Sequence, residues 1–128
     1  TLTTVQDPKE AYREAIVNFA LQFVGNPYVW GGTSLTNGAD CSGFVQSVYS
    51  NFGYGIPRVA CDQAEYGTQI NISDGEPGDL MFYAKSGYVY HVSMYIGNGQ
   101  VVQAYSSNAG IIKSDIGPNA VWATKVFR

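Results

Sequence analysis

A chain of 128 residues fits one compact domain, and a hydrophobic share of 45% is enough to bury a core. Charged residues make up only 13% and the net charge is −3, so there is no Lys/Arg stripe of the kind that binds nucleic acid. No apolar run approaches the roughly 20 residues a membrane-crossing helix needs.

Ten tyrosines beside few lysines suggest a polar-aromatic surface suited to peptides or glycans. Residues 1–6 read as a linker, and 7–128 as a single domain. The chain opens on threonine without a signal-peptide pattern, as a mature form or an excised domain does.

Asp7-Pro8-Lys9-Glu10 reads as a helix start, with Asp7 as N-cap, Pro8 as the first helical residue and Glu10 as the reciprocal cap. Ala11, Ala15, Ile16, Phe19, Ala20 and Phe23 recur at helical spacing, and Gly25 ends the run. Asn26-Pro27 forces extended backbone. Gly31-Gly32 permits dihedrals closed to other residues, or a close backbone approach. Residues 33–39 read as a loop.

A second helix is expected from Cys41 to Phe52, with Asp40 as N-cap and Phe44, Val45, Val48, Tyr49 and Phe52 on its buried face. A short helix over Arg58–Tyr66 follows, stopped by Gly67. Beyond it the pattern turns to strands: Leu80–Tyr83, Val89–Ile96, Val101–Tyr105, Ile111–Lys113 and Val121–Phe127. Helices first and an antiparallel sheet after make an α+β layout.

Two cysteines could form one disulfide. Their contexts differ, however. Cys61 sits within the expected short helix, where a small buried thiol is the plain reading. Cys41 opens a helix, whose unpaired N–H groups favour thiolate and can receive an oxyanion. Ser42 and Gly43 are small and leave the sulfur accessible. Two cysteines and one histidine at these spacings match no common zinc pattern, so neither metal nor cofactor is expected. Asp40 beside the sulfur would oppose its ionisation unless the carboxylate caps the helix or turns to a substrate cation.

His91, the sole histidine, is the only imidazole available to Cys41. On its strand Tyr90, Val92, Met94 and Ile96 read as the core face, leaving His91 and Ser93 on the polar face. A histidine base works best when its second nitrogen is held, and Gln103 is the candidate. A two-residue Asn98-Gly99 turn pairs Met94 with Gln103 and separates Gln103 from His91. A three-residue Gly97-Asn98-Gly99 loop pairs Ser93 with Gln103 and brings the two together, so a Cys-His-Gln mechanism predicts the latter register.

Tyr28–Gly32, Asp40–Val45, Pro57-Arg58 with Gln63, Pro77–Tyr83 and His91–Gly99 together resemble the NlpC-type papain-like cysteine peptidases of bacterial cell walls. The resemblance implies a papain-like fold, with the cysteine at a helix N-terminus against a C-terminal sheet. It implies an endopeptidase cutting peptidoglycan stem peptides at the bond from γ-D-glutamyl to a diamino acid, acting outside the cell or in the wall. Further wall-binding domains in the parent chain would fit. Cys41 would be the nucleophile, His91 the base and Gln103 the third polar residue, where histidine is the more frequent choice. Tyr28 matches a tyrosine that faces the oxyanion or substrate, although an aromatic before Gly-Gly can also simply pack. Asp40, Ser42 and Arg58 match positions along the substrate cleft. An N-acetylmuramoyl-L-alanine amidase or a transferase could use the same triad, and an inactive wall-binding module could retain the fold.

Overall fold

The computed structural model describes residues 8–126, with Pro8–Glu10 described by backbone alone. The linker, the Asp7–Glu10 capping box and Phe127 therefore lie outside the described residues or side chains. The elements run α1 (Pro8–Leu21), β1 (Thr33–Ser34), β2 (Gly38–Ala39), α2 (Cys41–Ser50), α3 (Ala60–Tyr66), β3 (Thr68–Ile70), a 3₁₀ turn (Ile72–Asp74), β4 (Leu80–Lys85), β5 (Tyr88–Gly97), β6 (Gln100–Ser106), β7 (Gly110–Asp115) and β8 (Ala120–Lys125). A six-stranded antiparallel sheet in the order β3-β8-β4-β5-β6-β7 carries the helices, the α+β layout that the pattern predicts.

The core lies between α2 and the sheet. Phe44, Val45, Val48 and Tyr49 meet Leu80, Phe82, Val92, Met94 and Val102, all fully buried. These are the α2 positions that helical spacing assigns inward, except that the helix ends at Ser50, so Phe52 packs from the turn beyond it. None of the described helices is long and apolar enough to cross a membrane.

Helix α1 is turned differently from its apolar stripe. Ile16, Val17 and Ala20 are buried, but Ala11 and Ala15 are exposed and Arg13 is buried instead. Arg13 donates to the Asp79 carboxylate at 2.7 Å and to the Pro77 carbonyl at 3.0 Å. A buried cation needs such a partner, and Asp79 is fully buried beside it. The Tyr49 hydroxyl donates to the Gly78 carbonyl, so α1 and α2 both anchor the turn that launches β4.

Residues 33–39 differ from the expected loop. They form a small hairpin, β1 with β2, and Tyr28 makes a parallel bridge to Ala39. Helix α3 starts at Ala60, two residues later than expected, with Val59 as an N-cap that offers no side-chain acceptor.

Candidate active site

Cys41 is the first residue of α2, and the cap predicted for it is present. The Asp40 carboxylate accepts from the Gly43 N–H at 2.7 Å, satisfying one of the helix's open donors. The second carboxylate oxygen accepts from the Gly31 N–H at 3.0 Å, where Gly31 stands at φ +76°. Arg58 grips both oxygens, each at 3.1 Å, and also donates to the Ser42 hydroxyl at 2.9 Å. Asp40 thus serves as cap and anchor, with its acceptor sites taken up within the protein. Ser42 is buried, while Arg58 is part-exposed, at the wall of a cavity of about 390 Å³.

Gln63, only 1% exposed, ties this corner to α3 by donating to the Ser42 and Pro57 carbonyls at 3.0 and 2.7 Å. Cys61 is not a buried mid-helix thiol. It is the second residue of α3, part-exposed, on the wall of that smaller cavity. Both cysteines are free, which removes the disulfide reading.

A larger cavity of about 810 Å³ shares Trp30, Cys41 and Tyr90 with the smaller one. It brings Cys41, His91 and Gln103 into one space, with Tyr28 beside them.

Helix start and burial pull on that sulfur in opposite directions. Burial pushes the thiol up, and the Asp40 charge adds to the push. Backbone hydrogen bonds from Val92, Ser42 and Cys41 itself favour the thiolate but are the weaker effect. Burial likewise lowers the His91 imidazole, against its bond to Gln103. Burial thus favours the neutral form of both groups. Desolvation opposes the pull toward thiolate expected of the helix start.

His91 and Gln103 meet, Nε2 to Oε1 at 2.5 Å. The register is the one the mechanism needs, reached by an unforeseen route. The turn is the two-residue Asn98-Gly99, both at positive φ, with Gly97 opposite Gln100. A bulge at Ile96 then shifts the ladder by one, so Met94 faces Val102 rather than Gln103. The imidazole is flanked by Tyr83, centroids 5.1 Å apart, and by Tyr105 edge-on at 6.2 Å. Tyr83 is itself held by the Ser93 hydroxyl at 3.0 Å and the Ile116 carbonyl at 2.9 Å. The predicted core face of β5 holds for Val92 and Met94, whereas Tyr90 is exposed at the cavity mouth.

A family model described as the NlpC/P60 family matches residues 25–128. The chain belongs to the NlpC/P60 family. It is 40% identical over 101 residues to a γ-D-glutamyl-L-lysine dipeptidyl-peptidase of Bacillus subtilis, covering 77% of this chain and 34% of that protein. Its fold matches the NlpC/p60 domain of the peptidoglycan hydrolase SagA with a TM-score of 0.83 and 34% identity, covering 89% of this chain and 98% of that one. An NlpC/P60 protein of Bacillus cereus matches with a TM-score of 0.86 and 30% identity, covering 91% and 40%. The papain-like expectation for the fold is thereby met. The chain spans about a third of the length of the B. subtilis relative.

Within this NlpC/P60 domain, Gly43 proves to be small for a reason other than access to sulfur. A Cβ there would lie 2.1 Å from the Gly32 carbonyl oxygen and 2.9 Å from Asp40 Oδ1. Backbone cannot rotate aside as a side-chain end can. Gly43→Ala is expected to destabilise the fold by about 2 kcal/mol or more despite alanine's better helix propensity. Thermal unfolding should fall by roughly 5–10 °C, and an unchanged melting temperature would contradict the packing argument.

Tyr83, Tyr105 and Ser114 are site residues to which the sequence reading assigned no role. Ser114 accepts from Gln103 Nε2 at 2.7 Å. Its signal in sequence is slight: a serine on a strand, placed only once the pairing of β6 with β7 is known.

Proposed function

We propose that the chain is a cysteine endopeptidase of peptidoglycan, cleaving stem peptides between γ-D-glutamyl and a diamino acid. The observation that carries this reading is one cavity wall formed by a helix-initiating free thiol and the only imidazole, the latter held by Gln103. Relatives named as γ-D-glutamyl-L-lysine dipeptidyl-peptidase and as peptidoglycan endopeptidase support the substrate class.

Cys41 Sγ attacks the γ-glutamyl carbonyl while His91 takes the thiol proton. Because burial favours the neutral form of both groups, proton transfer accompanies attack. The oxyanion is received by N–H groups at the start of α2, with the Tyr28 hydroxyl beside it. His91 then protonates the departing amine, leaving a thioester. Water, deprotonated by the same imidazole, releases the acid. The smaller cavity, with Arg58 and the Asp40–Ser42 corner, receives the amino side of the stem. Location outside the cell or in the wall follows from such a substrate, and other parts of a longer parent chain would hold the enzyme there.

A digest of defined muropeptides, read by mass spectrometry, tests the reading. The expected products are split between D-glutamate and the diamino acid. Release of the lactyl end indicates an amidase, transfer to an added amine indicates a transferase, and intact muropeptides indicate a binding module. Each of these overturns the endopeptidase.

A further inference from the structure

We propose that Ser114 is a positioning residue that sets the tautomer of His91 by relaying a backbone constraint through Gln103. This rests on the reading of His91 as the general base.

The argument is one of donors and acceptors. An amide side chain can present either end, and Gln103 could offer oxygen or nitrogen to His91. If it offered nitrogen, His91 Nε2 would have to be bare and the proton would sit on Nδ1. The imidazole would then lack a lone pair on its remaining nitrogen, and could not accept a proton there. Nothing in the His91–Gln103 pair alone decides between the two states.

Ser114 decides it. Its hydroxyl lies 3.2 Å from the Asp115 backbone carbonyl, which can only accept, and a hydroxyl that donates there turns its lone pairs to Gln103. The Ser114 oxygen is left with lone pairs only. It therefore accepts from Gln103 Nε2 at 2.7 Å. With its nitrogen turned to Ser114, Gln103 must turn Oε1 to His91, at 2.5 Å from Nε2. An amide oxygen can only accept, so Nε2 carries the proton and Nδ1 is bare. A carbonyl on β7 thus fixes the proton on a ring held by β5, through one side chain on β6. Register delivers the geometry: Gln103 pairs with Ile112, so Ser114 is its diagonal neighbour on the same face of the sheet.

The relay also accounts for a glutamine at this position. A histidine there could orient the base by itself donating or accepting through either nitrogen. An amide needs a third party to choose its rotamer, and Ser114 is that party.

The test exploits the single histidine, which gives one imidazole signal in protein labelled with 15N-histidine. Two matched variants differ in the hydroxyl alone: Ser114→Val removes it and Ser114→Thr keeps it, both with strand-compatible shapes. Ser114→Ala is a third, smaller replacement. In wild type and Ser114→Thr the ring should be protonated on Nε2. In Ser114→Val and Ser114→Ala the nitrogen correlations should move toward a mixture of tautomers. On a cleaved muropeptide, kcat should fall about two- to tenfold, the change that one hydrogen bond can set, with KM unchanged and threonine restoring it. Identical imidazole spectra for all four proteins overturn the relay, as does a shift in Ser114→Val that Ser114→Thr shares. The spectra need no substrate, so they decide the relay even if the muropeptide digest overturns the proposed activity.

Discussion

Cys41→Ala should abolish muropeptide cleavage, by a factor on the order of 10⁴ or more, without altering thermal unfolding. Alanine removes a single sulfur from the edge of the core, and the Asp40 cap does not depend on it. Cys41→Ser is the sharper variant. A hydroxyl is a far weaker acid than a thiol, and burial has already weakened His91 as a base by lowering its affinity for protons. Serine should therefore be as inactive as alanine. Cys61 is the competing thiol, on the wall of the adjoining cavity. Cleavage retained in Cys41→Ala but lost in Cys61→Ala would move the nucleophile there and end the mechanism drawn above. The same variants separate the thiols chemically: iodoacetamide labelling of Cys41 should rise on the alkaline side of the ordinary cysteine value near 8.5, because burial outweighs the helix end. A labelling rate already at its plateau at neutral pH would show a preformed thiolate.

Local signals in the sequence sufficed for α2 and its cap. Asp40 before a cysteine and an apolar face at helical spacing specify a helix start whatever surrounds it. The faces of β5 were legible where a strict alternation held, at Val92 and Met94, and failed at Tyr90, next to the register shift at Tyr83/Ala84. Burial of Arg13 could not be read, because an arginine on a helix reads as solvent-facing until Asp79, 66 positions on, is placed beneath it. The hairpin over 33–39 is held by Tyr28 bridging to Ala39 and by glycines that admit backbone at close range, contacts that no periodicity encodes. Turn chemistry alone admits two lengths between β5 and β6, and only the mechanism favours the three-residue loop. Structure combines them, a two-residue turn plus a bulge, because β6 must bury Val101 and Val102 on opposite faces while returning Gln103 to His91. The candidate triad was thus visible as residue types, and the groups packed around it were not. Ser114, Tyr83 and Tyr105 reach Gln103 and His91 through pairings between strands that sequence order does not give.

His91→Ala should cost on the order of 10³-fold or more in kcat, and the double variant with Cys41→Ala little beyond either alone, since the two groups act as a unit. The wild-type pH profile carries the finer prediction. A base works only while unprotonated, so activity is lost as pH falls through the folded value of His91. Burial holds that value below the usual 6.5, and the acid limb should lie on the acid side of it. The Gln103 bond opposes this by stabilising the protonated ring. Removing it in Gln103→Ala should then do two things of opposite appearance: lower kcat, because the ring loses its orientation, and move the acid limb to still lower pH. A purely structural role for Gln103 would reduce activity at every pH without moving the limb. An acid limb shifted upward instead would mean that the amide favours the neutral ring, which requires its nitrogen, not its oxygen, to face Nε2. The direction of one inflection therefore reports which end of Gln103 meets the imidazole, and with it which nitrogen is free to take the proton of Cys41.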